Sequence, residues 1–182
     1  MAVGSLLKKF EGGLAFNEIE SYTSKARTWY MNELKNMRVN RPALLKDSET
    51  IKKSRALPGR MFMFFYDPKH KATLPYYDQF PLILMVDSAK PKKGFYGLNF
   101  HYLPYALRAR LLDAAGQDKL NIQEVKRSRL TKPTIKRYLF GYVKSMFLKI
   151  EDEDNLTAIM LPVQRFKKAS TSTVWADSRK MI

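Results

Sequence analysis

The side chains in this sequence best suited to moving a proton or holding a metal are its two histidines, His70 and His101. His70 falls in a lysine-flanked turn sequence, Asp67-Pro68-Lys69-His70-Lys71, and His101 in an aromatic run. Neither belongs to an H-x-x-x-H, H-E-x-x-H or H-x-E pattern, so a structural role is the better reading for both. A metal nuclease needs several carboxylates converging on one point. The chain offers one acid-x-lysine match, Glu124-Val125-Lys126, with Asp113 or Asp118 upstream. One short match in a charged sequence carries little weight. The Tyr76-Tyr77-Asp78 trio reads as a cluster at the edge of a core, its carboxylate satisfied. Gly94-Phe95-Tyr96-Gly97 spells the G-x-x-G of an RNA-clamping loop but leads into a strand pattern instead of joining two helices. There is no Walker A loop and no G-x-G-x-x-G. The absence of cysteine excludes disulfides, zinc ribbons and thiol nucleophiles. The expectation is a non-enzymatic protein with no catalytic residue, no metal and no cofactor.

The charge balance says more. Lysine and arginine total 33 against 17 acids, a formal net charge of +16. Folding requires no such excess, and self-repulsion at that level opposes compaction, so the charge points to a polyanionic partner. Between Lys119 and Lys149 nine cations are opposed by a single acid, Glu124. Lys126, Arg127, Arg129, Lys132, Lys136, Arg137 and Lys144 are the expected phosphate contacts, with Arg165, Lys167 and Lys168 extending the track. DNA, RNA and an anionic membrane are the candidates; neither a helix-turn-helix pattern nor an RNP-like strand is present, so contact with a nucleic-acid backbone or end fits better than base readout. The competing reading of the same residues is a solvated basic face, or one matched to an acidic protein. No apolar run approaches the ~20 residues of a membrane span, and no export signal is evident, so a soluble, intracellular product is expected.

Elements must hold those cations in place. In 182 residues, 45% of them hydrophobic, there is enough for one domain with a core. Residues 1–58 read as an N-terminal helix, with one face made by Ile19, Tyr22, Ala26, Tyr30 and Leu34, followed by a basic linker arm. Residues 59–182 read as an α+β domain. Arg60–Tyr66, Phe80–Val86 and Phe95–Tyr102 form three sequential strands, the first buried on both faces. Gly97 within the third marks a bulge or a close backbone approach. Pro104 opens a helix carrying Leu107, Leu111 and Leu112 and ended by Gly116. Pro133 opens a second helix over 133–149, with Ile135, Leu139, Tyr142 and Met146 as its buried stripe. That helix sets Lys132 and Lys136 one turn apart and Arg137 and Lys144 two turns apart. Leu156–Val163 reads as a strand, and Thr173 caps a short final helix. The architecture expected is a small antiparallel sheet, open or curled toward a barrel, packed by several helices. Tyr76, Tyr77, Phe80, Phe95, Phe100 and Tyr102 fill and edge that sheet, and an exposed aromatic among them could stack on a terminal base pair.

Several unusual words occur in one order along residues 59–182. They are Gly59-Arg-Met-x-x-Phe-x-Tyr-Asp-Pro-Lys, Leu74-Pro-Tyr-Tyr-Asp-x-Phe-Pro-Leu, and Gly94-Phe-x-Gly-Leu-Asn-x-His-Tyr-Leu-Pro. Lys136-Arg-Tyr-Leu, Leu161-Pro-x-x-Arg-Phe and Val174-Trp-x-x-Ser-Arg-Lys follow. In these the chain resembles the DNA end protector protein family of T4-like contractile-tailed phages. The resemblance implies a minor virion protein that binds the termini of packaged linear DNA, shields them from exonuclease in the host cytoplasm, and takes part in head completion. It implies double-stranded DNA ends as partner, with phage head, neck or tail proteins as further partners and no membrane. The alternative is a structural subunit of the neck or tail baseplate that binds other phage proteins.

Overall fold

Phe62 and Phe64 belong to one hydrophobic core and Met61 and Met63 to another, although the four are consecutive along the chain and all are buried. The alternation is what an extended segment gives when apolar side chains leave both of its faces. The computed structural model describes residues 52–53, 56–89, 93–115, 127–150 and 155–182. The predicted N-terminal helix and most of the basic arm, as well as Gly116, Glu124 and Lys126, lie outside the described residues.

Eight strands are described: β1 (Lys52–Lys53), β2 (Met61–Met63), β3 (Tyr77–Asp78), β4 (Leu82–Ala89), β5 (Gly94–Asn99), β6 (Ile135–Leu139), β7 (Phe147–Ile150) and β8 (Phe166–Lys167). Six form an open antiparallel sheet in the order β1-β7-β2-β4-β5-β6, and β3 pairs with β8 in a separate ribbon. One face of the large sheet carries Met61, Met63, Leu82, Leu84, Val86, Leu98, Leu148 and Ile150. Helices α1 (Tyr105–Ala115), α3 (Asn155–Met160) and α4 (Thr171–Met181) cover this face, through Leu111, Leu112, Ile159, Met160 and Trp175. A single turn, α2 (Thr131–Thr134), leads into β6.

The opposite face carries an aromatic cluster. Phe64 packs edge-on against Phe95, Tyr138 and Phe147 at ring-centroid distances of 5.7, 5.3 and 5.1 Å. Such pairs add roughly 0.5–1.5 kcal/mol each beyond their buried area. The sheet curls over this cluster. After β6 a 3-10 turn at Phe140–Tyr142 sends the chain across to β2. There Val143 bridges Tyr66, and the Lys144 N–H donates to the Phe65 carbonyl at 2.8 Å. The Leu139 N–H also donates to the Tyr66 hydroxyl at 3.1 Å, tying β6 to the continuation of β2. The sheet stays open, with β1 and β6 as its edges.

Four expectations about elements are overturned. Residues 133–149 do not form a helix: they are the end of α2, β6, a 3-10 turn and the start of β7. The four-residue spacing of Ile135, Leu139, Tyr142 and Met146 also fits interrupted strands, and here Met146 is 51% exposed while Tyr138, Phe147 and Leu148 are buried. The segment is rich in β-branched and aromatic residues and holds Gly141, which costs about 1 kcal/mol inside a helix. The free edge of β5 supplies the competing ladder. Leu156–Val163 is not a strand, because α3 occupies Asn155–Met160, and a short apolar run cannot by its period be told from a buried helix. Phe100–Tyr102 leaves the strand for a 3-10 turn, because the Asn99 side chain accepts from the His101 N–H and closes it. The final helix begins earlier than expected, and Ser170 caps it by accepting from the Thr173 N–H.

Candidate nucleic-acid interface

The β3–β8 ribbon and β6 approach each other through tyrosines. Tyr77 pairs with Lys167 and Asp78 with Phe166 in the ribbon register. Phe166 packs edge-on against Tyr102 at 5.1 Å, and Tyr76 lies 6.0 Å from the same ring. Between ribbon and sheet is a cleft of about 500 Å³. Tyr66, Tyr76, Tyr77, Tyr102 and Tyr138 supply its flat walls, and Pro68, Leu74 and Pro75 continue them. Its ionisable side chains, apart from the tyrosines, are Lys69 and His70 from the turn after β2, Asp78 from β3, and Lys136 and Arg137 from β6.

Asp78 does not neutralise those cations, because both its oxygens are committed to structure. Oδ1 accepts from the Phe80 and Arg165 N–H groups at 3.0 Å each. Oδ2 lies 2.6 Å from His101 Nδ1 and accepts weakly from Asn99. Burial by itself favours the neutral acid. The charge of the His101 ring, its hydrogen bond, and the Phe80 and Arg165 N–H groups outweigh burial and hold Asp78 below the ordinary carboxylate range. The carboxylate thus fastens β3 to the 3-10 turn and to the strand before it, as the satisfied-carboxylate reading expects. His101 is fully buried. Among the described residues no group of three or more histidines and acids could hold a metal.

Lys136 is the unusual member. Its register partner is Gly97, and its Nζ sits 4.1 Å from the centroid of the Tyr102 ring. It has no carboxylate partner among the described residues. Burial lowers its pKa to about 8, because a desolvated ammonium loses hydration that a ring face only partly replaces. Burial also lifts the phenols of Tyr66, Tyr76, Tyr102 and Tyr138 above their usual range, so these four stay un-ionised.

The other expected phosphate contacts are distributed differently from the helical track. Arg127, Arg129 and Lys132 are exposed on the approach to and within α2. Arg137 is exposed on β6 beside the cleft, and Lys144 is exposed past the turn, its Nζ 5.8 Å from the Tyr142 ring. Lys132 and Lys136 lie on a helical turn and a strand instead of one helix face, as do Arg137 and Lys144 on either side of the 3-10 turn. Arg165 and Lys167 are exposed on and beside β8, next to the ribbon wall. Lys168 adopts φ 69°, and its ammonium donates to the Ala72 and Leu74 carbonyls at 2.7 and 2.9 Å, clamping the loop that carries Pro75 and Tyr76. Apart from Lys126, which is not described, none of these cations forms an ion pair with a carboxylate among the described residues. Of the expected phosphate contacts, the cleft brings together Lys136 and Arg137.

Lys69 and His70, absent from the sequence-derived set, join them. The available signal was the interleaving of cations, prolines and tyrosines over residues 66–77. No helix of the described residues is long and apolar enough to cross a membrane.

Comparison with curated proteins and with solved structures finds no match to this chain. A family model does match, over residues 14–178, so it reaches past the 59–182 words into the N-terminal region. By that match, the chain belongs to the family of the phage T4 terminal DNA protecting protein.

Proposed function

We propose that this protein is a non-enzymatic component of the virion that binds the ends of linear double-stranded DNA without reading their sequence. By occupying an end it denies exonucleases their entry point, in the host cytoplasm after DNA delivery. Family membership is the observation that carries this reading. The cations support it: a net charge of +16, with exposed Arg127, Arg129, Lys132, Arg137, Lys144, Arg165 and Lys167 left without carboxylate partners among the described residues. Unpaired cations of that kind release counterions from a phosphate backbone, and no groove-reading element is called for. Participation in head completion, through contacts with other phage proteins, is part of the same proposal.

The test is digestion of linear DNA by a processive exonuclease, with and without the protein, across a salt series. Protection that fades steeply with salt is expected. Competition with the same duplex closed by hairpins should leave protection intact. Equal binding to closed and open duplexes would remove end recognition. A stoichiometric phage protein partner, with no DNA shift at physiological salt, would favour a neck or baseplate subunit instead.

A further inference from the structure

We propose that the tyrosine-walled cleft between β6 and the β3–β8 ribbon receives the terminal nucleotide of a DNA strand, with Lys136 contacting its phosphomonoester. The inference rests on the DNA-end reading and adds to it a specific receptor for the end itself. Four observations carry it. First, the cavity of about 500 Å³ is in the range of ligand sites, ~300–1,000 Å³, and suits one nucleotide better than a duplex. Second, Lys136 is a desolvated cation facing a ring instead of a carboxylate. Lys136 is partly withdrawn from water with no carboxylate partner among the described residues, which is unfavourable for a charge, and an arriving anion offsets that cost. Third, Lys69, His70 and Arg137 add positive or protonatable groups to the lining. The single lining acid, Asp78, is committed to His101 and two backbone N–H groups. Fourth, the tyrosine rings and two prolines give faces for a sugar and an unpaired base, which stack on aromatic side chains whatever the base identity.

A monoester suits such a site better than a chain-internal diester. It carries about −1.5 to −2 charge near neutral pH, against a single charge for a diester. Only an end supplies it. Recognition of the phosphate would thus set an end apart from the far more numerous internal positions, with no sequence read.

The experiment measures affinity for one blunt duplex in four forms: 5′-phosphorylated, 3′-phosphorylated, hydroxyl-terminated at both ends, and hairpin-closed. The full-length chain and its Lys136→Met, Lys136→Arg and Lys132→Met variants are compared. The expected result is binding on the order of tenfold tighter to one of the phosphorylated forms than to the hydroxyl form, the size of one hydrogen-bonded charge contact. Lys136→Met should equalise the two, Lys136→Arg should keep part of the preference, and Lys132→Met should weaken all forms alike. Either 5′ or 3′ preference supports the proposal and identifies which strand end enters. Wild-type protein indifferent to both phosphates overturns it, as does a preference that survives in folded Lys136→Met protein. If open ends still outcompete the hairpin form while phosphate is ignored, the pocket falls and end binding stands. If the hairpin form binds as tightly as the open ones, both fall.

Discussion

The ammonium of Lys136 rests 4.1 Å from the centre of the Tyr102 ring, with Gly97 as its neighbour across the strand pair. A cation–π contact gives back ~0.5–2 kcal/mol, less than the desolvation of an ammonium costs. Lys136 therefore weakens the free fold, a cost that a bound anion would offset. With the folded pKa lowered to about 8, the unfolded chain holds more protons between pH 8 and the ordinary lysine value of ~10.4. Stability of the free protein should rise with pH across that window. Lys136→Met should raise the neutral-pH melting temperature by stabilising the fold by about 1–3 kcal/mol. Thermal melts of wild type and variant at pH 7 and pH 9 check both, and a destabilised variant at pH 7 would show that the amine is well compensated.

The same ionisation governs ligand binding with the opposite sense. Lys136 is charged below about pH 8 and neutral above it, so preference for phosphate-terminated DNA should decline as pH rises from 7 to 9. The other groups facing the cleft are Lys69, His70, Arg137, Asp78 and the five tyrosines. The measurement belongs in a His70→Gln background, so that the imidazole contributes nothing to the profile. A preference unchanged at pH 9 would remove Lys136 as the contact.

Asp78 and His101 meet in the core, and breaking one partner strands the other. Asp78→Asn should cost about 3–5 kcal/mol and loosen the β3–β8 ribbon. Because Asp78 titrates below the ordinary carboxylate value, its contribution is complete above ~3.9 and is lost as pH falls through its folded value. Urea unfolding of wild type and Asp78→Asn from pH 7 to pH 2 should show the stability difference shrinking toward the acid end.

Two glycines in β5 permit close approach. A Cβ on Gly94 would stand 2.1 Å from the Tyr138 carbonyl oxygen, which is backbone and cannot turn aside. One on Gly97 would stand 2.7 Å from Ile83 Cδ1, a side-chain end that can. Gly97→Ala should cost ~1–3 kcal/mol, and Ile83→Val should recover part of it. Gly94→Ala should cost more and separate β5 from β6. Chemical denaturation of the three variants ranks them.

Arg137 and Lys144 should each contribute to the salt dependence of DNA binding. Arg137→Gln and Lys144→Gln should each lower the slope of log affinity against log salt by ~0.9 for a full phosphate contact. Lys168→Gln should act chiefly by freeing the loop at residues 72–74, visible as faster amide exchange there. A slope unchanged in both of the first two variants would place the DNA elsewhere.

The three-strand core was legible because its signal is local. Met61–Met63, Leu82–Val86 and Phe95–Leu98 are dense apolar runs, and all of them lie in the sheet. The segment from Ile135 to Ile150 was not, because residues four apart can share a helix face or punctuate two strands. The choice fell to the unpaired edges of β5 and β2. Asp78 shows the same limit from the other side. A satisfied carboxylate could be expected from its aromatic neighbours, but its partners His101 and Arg165 are 23 and 87 residues away.

By itself the sequence determined the surplus of positive charge and excluded disulfide and thiol chemistry. Sixteen surplus positive charges and the lack of cysteine are sums over residues, unchanged by any fold. Tertiary structure decided which cations converge. Lys69 is far along the chain from the adjacent Lys136 and Arg137, and the three share one cleft because β6 pairs with β5 while β3 pairs with β8. Those ladders are settled by packing across the whole domain. The depressed pKa of Lys136 likewise depends on neighbours that the chain brings to it only after folding.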